Sequence, residues 1–360
     1  MRFAVMCPHH GYVHRGTENM TDDINKVLKK RGHMVRLFST EYFRKDLGVG
    51  KLSDSFFEKS MIGGFSRKYI GINPNIEDIV FAIGSEEMVE IVSPAFDMLW
   101  SNGEFWCANM VKKISKRTGK PCLVFFGGGI SKMMLREARM KPDIFVVLAP
   151  IMKEWLERKS PDTNTKCIPS GVDIELFKKT KPFASPDLYE RPIVCSTSAL
   201  IPGKNVELII ESMHELGEGT LFVTNDGPLR NKIINKGKRL LGKRFNYLGT
   251  LPFNRLPSLY SMSDVFVLAS DNEPWGAVLF EAMACGCNVV AQRDSTRYFM
   301  VGNNGVLIPD VNDIKVLADA INHAYIYKDE KSLRRQAERF SWEKTVDGYE
   351  AAINEVMNGR

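Results

Sequence analysis

An α/β protein built from two doubly wound, Rossmann-like domains is predicted by three observations. Short apolar segments alternate with longer amphipathic ones almost throughout, the signature of strand–helix units around parallel sheets. The alternation breaks once, across the Lys- and Pro-rich stretch 177–192. The 360 residues, 44% hydrophobic and 26% charged, supply enough apolar material for two cores.

In the first half, strands are expected at 2–7, 34–38, 89–93, 122–126 and 144–148, with helices between them such as 22–31 and 104–116. The run KCIPSGVD at 166–173 closes that series. The boundary is placed near 170, giving an N-terminal domain over 1–170 and a C-terminal domain over 171–340. The second half reads as strand 193–197, helix 206–216, strand 220–224, helix 229–241 and strand 246–248. Helix 255–262, strand 265–269, helix 276–285 and strand 288–291 follow. Two such domains place the carboxyl ends of both sheets at a shared cleft, where one holds a donor and the other an acceptor.

Composition removes several function classes. No stretch of about 18 apolar residues suggests a membrane span, and the first residues lack the pattern of a secretory signal, so a cytoplasmic location is expected. Seven cysteines sit mostly inside apolar runs with no CxxC spacing and read as reduced core thiols. Cys285 and Cys287 lack a second Cys/His pair to complete a zinc site. A formal charge of +6 is modest for this length and gives no argument for nucleic acid. Two local basic clusters stand out: Lys112, Lys113, Lys116, Arg117 and Lys120, then Lys232, Lys236, Lys238, Arg239, Lys243 and Arg244. They read as solvated helix faces or, alternatively, as attraction to an anionic membrane surface or polyanionic acceptor.

The most informative segment is SDNEPWGAVLFEAMACG at 270–286, which follows a strand and opens a helix. Pro274 disfavours helical geometry at Glu273, so Glu273 stands in the loop, while Gly276 lets the backbone approach a ligand closely. The free amides of Gly276, Ala277 and Val278 then face a ready diphosphate site. The flanking carboxylates suit hydroxyl groups, Glu273 those of a transferred sugar and Glu281 those of a ribose. The plain alternative makes both surface carboxylates. It loses ground because Val278, Leu279, Ala282 and Met283 surround Glu281 with apolar residues, where an unpaired charge is costly.

Glu273 and Glu281 within EPWGAVLFEAMACG resemble the paired-glutamate motif of retaining GT-B glycosyltransferases, especially glycosyltransferase family four (group 1 glycosyltransferases). Further matches stand in the expected order: SGVD at 170–173, SALIPGKN at 198–205, NDGP at 225–228, YLGTLP at 247–252 and FSWE at 340–343. They cover nearly all of the C-terminal half, whereas the first half resembles the family only in its opening strand and the loop RGTE at 15–18. The resemblance implies that Lys204 neutralises the donor diphosphate. A fixed ammonium meeting charge that develops on the leaving group agrees with that role. It further implies that Gly16, Asp226 and Gly227 lie beside the donor, that backbone near Thr250 and Leu251 holds the base, and that a helix from 341 to 360 crosses back to the first domain.

Two departures from the family pattern are present. Ala199 stands where many members carry a second diphosphate-gripping arginine, for which Arg15 is a candidate substitute, with contact to acceptor or solvent as its alternative role. Gly127, Gly128 and Gly129 occupy the place of a histidine near the sugar, with His9, His10 and His14 as further loop histidines. No Asp-x-Asp pair follows a strand, and Asp310 and Asp313 have the wrong spacing in a loop. No cofactor and no metal are therefore expected.

The reading is a metal-independent transfer of a hexose-like sugar from a nucleotide-diphosphate sugar to the hydroxyl of a carbohydrate, lipid-linked or protein-linked acceptor, as in glycan biosynthesis. Retention of configuration follows from the resemblance alone, and Lys204 and Glu273 carry the chemistry. Peripheral association with a membrane surface is a secondary expectation. A GT-B epimerase or phosphorylase, and a non-catalytic nucleotide-sugar-binding or assembly subunit, stay open as alternatives. A dinucleotide oxidoreductase is weaker, since no G-x-G-x-x-G follows the first strand.

Overall fold

A computed structural model of the chain describes residues 1–8, 10, 16–39, 74–103, 105–271 and 273–359, with the side chains of 16–18 and 74–81 excepted. It divides into two compact units, Met1–Ser170 with Thr345–Arg360, and Gly171–Lys344.

The first unit contains β1 (Arg2–Met6), α1 (Gly16–Lys30), β2 (Met34–Phe38), α2 (Pro74–Val92), β3 (Met98–Asn102), α3 (Phe105–Thr118) and β4 (Cys122–Phe126). It continues with α4 (Lys132–Ala138), β5 (Ile144–Val147), α5 (Pro150–Lys159) and β6 (Thr165–Cys167). All six strands pair in parallel in the order β2-β1-β3-β4-β5-β6. Strands covered on both faces need no polar alternation, and β3, β4 and β5 are buried at every position.

The structure corrects one expected strand. Residues 89–92 close the 19-residue helix α2, and Ser93–Ala95 add a 3-10 turn. The strand beside β1 is instead Met98–Asn102. The β-branched run Val89, Ile91 and Val92 imitates a strand, yet Val89 is fully buried and Ile91 exposed, as on a helix face.

The second unit contains β7 (Ile193–Ser196), α6 (Val206–Leu216), β8 (Thr220–Val223), α7 (Arg230–Leu241), β9 (Phe245–Tyr247), α8 (Leu256–Met262) and β10 (Val265–Leu268). Then come α9 (Val278–Ala284), β11 (Asn288–Gln292), α10 (Ser295–Val301), β12 (Val306–Ile308), α11 (Ile314–Ile326) and α12 (Glu330–Glu338). The strands again run parallel, in the order β12-β11-β10-β7-β8-β9. Its core joins Val194, Leu221, Val265 and Val290 of the sheet to Ile209, Ile210, Leu317 and Ile321 of α6 and α11.

The final helix, α13 (Trp342–Asn358), starts in the second unit, and its residues from Thr345 onward belong to the first. Within the first unit Tyr349 packs on Trp100 with ring centroids 4.6 Å apart. Glu350 meets Arg31 at 2.6 Å and His33 at 2.7 Å.

No helix among the described residues is long and apolar enough to cross a membrane. All seven cysteines are free, and six of them are buried. Burial, with the nearby Glu281 adding to it, pushes the Cys285 thiol up to about 12, so the thiol form persists at neutral pH.

Candidate donor site in the second unit

In the strand order of the second unit, β7 is hydrogen-bonded to β8 on one side and to β10 on the other. The chain winds outward through β8 and β9, then returns to start the opposite half at β10. That reversal is a topological switch point, where loops leaving adjacent strands part and open a crevice. The loop after β7 carries Lys204, and the loop after β10 carries Glu273.

Backbone geometry fixes the first loop. Gly203 (φ +82°) and Asn205 (φ +53°) both adopt left-handed conformations on either side of Lys204. Asn205 tolerates this because its side-chain amide donates to Ala269 O at 3.0 Å and to Asp271 Oδ1 at 2.7 Å. Asp271 N in turn donates to Gly203 O at 3.2 Å. These bonds lace the β7 and β10 loops together, and Lys204 Nζ comes within 2.5 Å of Glu273 Oε2. The lysine side chain is 26% exposed and the glutamate 15%. An ammonium has three N–H donors, so two remain for an anionic ligand when one serves the carboxylate.

Glu273 lies in the loop ahead of α9, and the regular helix starts at Val278, two residues later than the periodicity suggests. Gly276 (φ +75°) makes the turn. A Cβ there would sit 3.1 Å from Glu273 Cγ and 3.1 Å from Leu268 Cδ2, in a conformation that L-residues rarely adopt. The first turn closes with Leu279 N on Gly276 O at 2.9 Å and Phe280 N on Ala277 O at 2.9 Å. The amides of Gly276, Ala277 and Val278 precede these bonds and belong to the donor-rich start of a helix.

Glu281, one turn into α9, is only 9% exposed. Its Oε2 accepts from the Tyr260 hydroxyl at 3.1 Å, and that hydroxyl also lies 2.9 Å from Thr197 Oγ1. Burial, reinforced by the Glu281 charge, holds the Tyr260 phenol well above its ordinary value, so it stays a neutral donor. Glu281 is thereby tied to the end of β7 through a tyrosine on α8.

The turn after β8 is seated on the β7 loop. Asn225 Nδ2 donates to Thr197 O at 2.6 Å, and Leu200 N donates to Asp226 O at 3.0 Å. A Cβ on Gly227 would meet Leu200 O at 2.3 Å, so any side chain there forces the turn to shift. Asp226 Oδ1 accepts from Gly227 N at 2.7 Å, and Oδ2 from Arg230 at 3.3 Å. Leu251 follows β9 at the same carboxyl edge of the sheet, and Gly249 O just before it accepts from Asn225 N at 2.8 Å. The second unit thus brings Lys204, Asp226, Gly227, Leu251, Glu273, Gly276, Ala277, Val278 and Glu281 to the carboxyl edge of one sheet.

The remaining candidates are dispersed. Gly16 opens α1 in the first unit. Gly127, Gly128 and Gly129 follow β4, ahead of the Ser131 cap of α4. Ala199 lies in the β7 loop, where its carbonyl accepts from Ile201 N at 2.9 Å. His10 pairs with Asp22 at 2.6 Å. Arg15, His9 and His14 lie outside the described residues.

No group of three His, Cys, Asp or Glu side chains among the described residues is placed to hold a metal ion. Asp313 caps α11 by accepting from Val316 N at 3.1 Å, and Asp310 accepts from Asn312 N at 2.9 Å. Both basic clusters meet carboxylates on neighbouring helices. Arg117 reaches Glu86 at 2.6 Å and Glu90 at 2.8 Å, while Lys232 reaches Glu207 at 2.9 Å and Lys236 reaches Glu211 at 2.5 Å.

Three supporting residues escape sequence reasoning: Asn205, Tyr260 and Arg297. Arg297 is fully buried, donating to Ser270 O at 2.8 Å and to Asp294 Oδ2 at 2.7 Å. It therefore anchors the backbone from which the Glu273 loop departs. The signal for Tyr260 is an isolated hydroxyl on an otherwise apolar helix face, which requires a buried partner without naming one.

Two Rossmann-like units in one chain, each built on six parallel strands, define the GT-B class of fold. Sucrose-phosphate synthase from Thermosynechococcus elongatus shares it over 100% of both chains, with a TM-score of 0.79 at 17% identity. Anabaena HepE, solved in complex with UDP-glucose, does so over 99% of this chain and 100% of its own, with a TM-score of 0.70 at 16% identity. Residues 177–340 match the family model for glycosyl transferases group 1. Among curated proteins, the probable sucrose-phosphate synthase of Thermosipho melanesiensis is 29% identical over 229 residues, 59% of this chain. The chain spans 51% of that relative's length.

Proposed function

We propose that the protein transfers a sugar from a nucleotide-diphosphate sugar to an acceptor hydroxyl, with retention of configuration and without a metal ion. The observation that carries this reading is the meeting of Lys204 and Glu273 at 2.5 Å at the switch point of the second sheet, beside the α9 start. The group 1 family match and the UDP-glucose complex of a structural neighbour support a nucleotide-sugar donor.

In this reading the diphosphate faces the amides of Gly276, Ala277 and Val278 and the ammonium of Lys204, Glu273 receives sugar hydroxyls and Glu281 the ribose. Asp226, Gly227 and Leu251 border the nucleoside, and Gly16 is assigned to donor binding. As the sugar C1–diphosphate bond breaks, the new C1–O bond forms on the same face. The acceptor proton passes to the departing diphosphate oxygen, so no enzymic base is required. Lys204 stabilises the transition state more than the ground state because the charge it faces grows during departure.

A panel of nucleotide sugars, assayed for transfer and for donor hydrolysis in the presence and absence of a chelator, tests the reading. Turnover by wild type that is lost in Lys204→Ala supports it. Nucleotide-sugar binding with neither transfer nor hydrolysis would instead identify a non-catalytic binding subunit.

A further inference from the structure

Away from the Glu273 loop, a cavity of about 640 Å³ opens at the other end of α9, where Ala284 and Gly286 line it. Its charged lining consists of Lys178, Lys179, Glu330, Lys331, Arg334 and Arg335, five cations against one carboxylate. Lys178 and Lys179 come from the Lys- and Pro-rich stretch that interrupts the strand–helix alternation, a stretch the donor site leaves without a role.

The cavity is held in shape by a fixed guanidinium. Arg334 Nη1 donates to Phe177 O at 2.6 Å and Ala284 O at 3.1 Å, Nη2 donates to Ile174 O at 3.0 Å, and Nε donates to Glu338 at 2.8 Å. These bonds fasten α12 to the end of α9 and to the 174–177 loop.

Around that floor the charges do not balance. Glu330 already serves Lys179 at 2.5 Å and Lys328 at 3.3 Å, and among the described residues Lys178 reaches only the exposed Glu175, at 3.4 Å. Lys331 and Arg335 meet no carboxylate among the described residues. They stand one helical turn apart on α12, a like-charge spacing that disfavours the helix unless an anion bridges it. In the two basic clusters noted from sequence, by contrast, Arg117, Lys232 and Lys236 each have a carboxylate partner.

We propose that this cavity is a second, donor-independent site that binds a small, multiply charged phosphate-bearing anion between Lys178, Lys179, Lys331 and Arg335. Flexible ammonium groups on two walls and a guanidinium that reads phosphate oxygens in pairs suit such a ligand better than a single carboxylate. The same chemistry is offered by a soluble pyrophosphate-type compound and by an anionic lipid headgroup.

The test titrates inorganic pyrophosphate calorimetrically into the full chain at low and moderate salt. Wild type, the double variant Lys331→Glu/Arg335→Glu and the donor-site variant Lys204→Ala are compared. Flotation with phosphatidylglycerol and phosphatidylcholine vesicles forms the second arm. Pyrophosphate binding that weakens at least about 10-fold in the double variant, falls with salt and persists in Lys204→Ala is the expected result. Loss of phosphatidylglycerol flotation together with pyrophosphate binding assigns a lipid headgroup, and loss of pyrophosphate binding alone assigns a soluble ligand. Affinity unchanged by the double substitution, or absence of binding in both arms, overturns the proposal. UDP titration into the double variant, whose melting temperature verifies folding, separates this outcome from failure of the donor-site reading.

Discussion

Lys204 and Glu273 lie 69 positions apart in the chain, yet their ammonium and carboxylate meet at 2.5 Å. The contact exists because β7 and β10 are direct neighbours and because Asn205 and Asp271 stitch their loops together. Neither charge is deeply enclosed, so the pair is open to exchange partners with an arriving ligand.

Removing the ammonium should affect turnover far more than folding. Lys204→Ala is expected to lower kcat about 10²–10³-fold, or ~2–4 kcal/mol of transition-state stabilisation. Steady-state kinetics with a competent nucleotide sugar, on protein of unchanged circular dichroism, measures this. Wild-type turnover would remove Lys204 from the chemistry.

Glu281 is assigned to binding. Glu281→Gln keeps the shape but loses the charged acceptor, and the nucleotide-sugar affinity should fall by ~1.5–3 kcal/mol in calorimetry. Tyr260→Phe, which removes the hydroxyl shared with Thr197, should lower stability by about 1 kcal/mol while donor binding changes less. Equal donor affinity in Glu281→Gln would end the ribose assignment.

Arg297 should prove to be a positioning residue. Arg297→Met leaves Ser270 O without its 2.8 Å donor and should destabilise the protein by ~1–3 kcal/mol. Because Glu273 hangs from that segment, kcat/KM for donor should fall as well, and Arg297→Lys should recover part of it. A stability loss with unchanged kinetics would restrict Arg297 to folding.

Gly227→Ala should be tolerated poorly. The new methyl would lie 2.3 Å from Leu200 O, so the turn must move away from the β7 loop. An expected loss of ~1–3 kcal/mol is read from the shift in thermal midpoint, and an unshifted midpoint would contradict the close seating of the turn.

Acid should loosen the first unit through Glu350. Burial pushes its carboxyl up, but bonds from His33 and Arg31 outweigh this and hold it below the ordinary glutamate value. A depressed folded-state value means that the stabilisation is fully present above the ordinary value and is lost as pH falls through the lower one. Partial exposure limits the effect to about 1 kcal/mol or less. Glu350→Gln should therefore be less stable than wild type at neutral pH, with the difference closing in acid. A constant difference across an acid unfolding series would contradict the linkage.

The Rossmann-like pattern was legible because buried parallel strands are short continuous apolar runs, as in VFVL of β10 and TLFV of β8. It misled at 89–93, where β-branched residues end a helix, and only the pairing of Met98 with Phe3 reveals the true strand. Within the candidate site, the local features were readable: a proline before a glycine turn, and a carboxylate among apolar helical residues. What brings Tyr260 to Glu281, or Arg297 to Ser270, was not, because those contacts depend on how separate helices settle on the sheet. Nor does a list of lysines distinguish Lys236, answered by Glu211, from Lys331 in the cavity wall.

The adjacency of β7 and β10 has a consequence for how the chain tolerates change. Everything between them is an excursion that leaves the sheet and returns to its starting place. Lengthening the Gly242 turn, which joins α7 to β9 with open space around its α-carbon, displaces neither end of that excursion. The Lys204–Glu273 pair is therefore held by two neighbouring strands and the stitches between their loops, and added length at the Gly242 turn leaves those stitches in place.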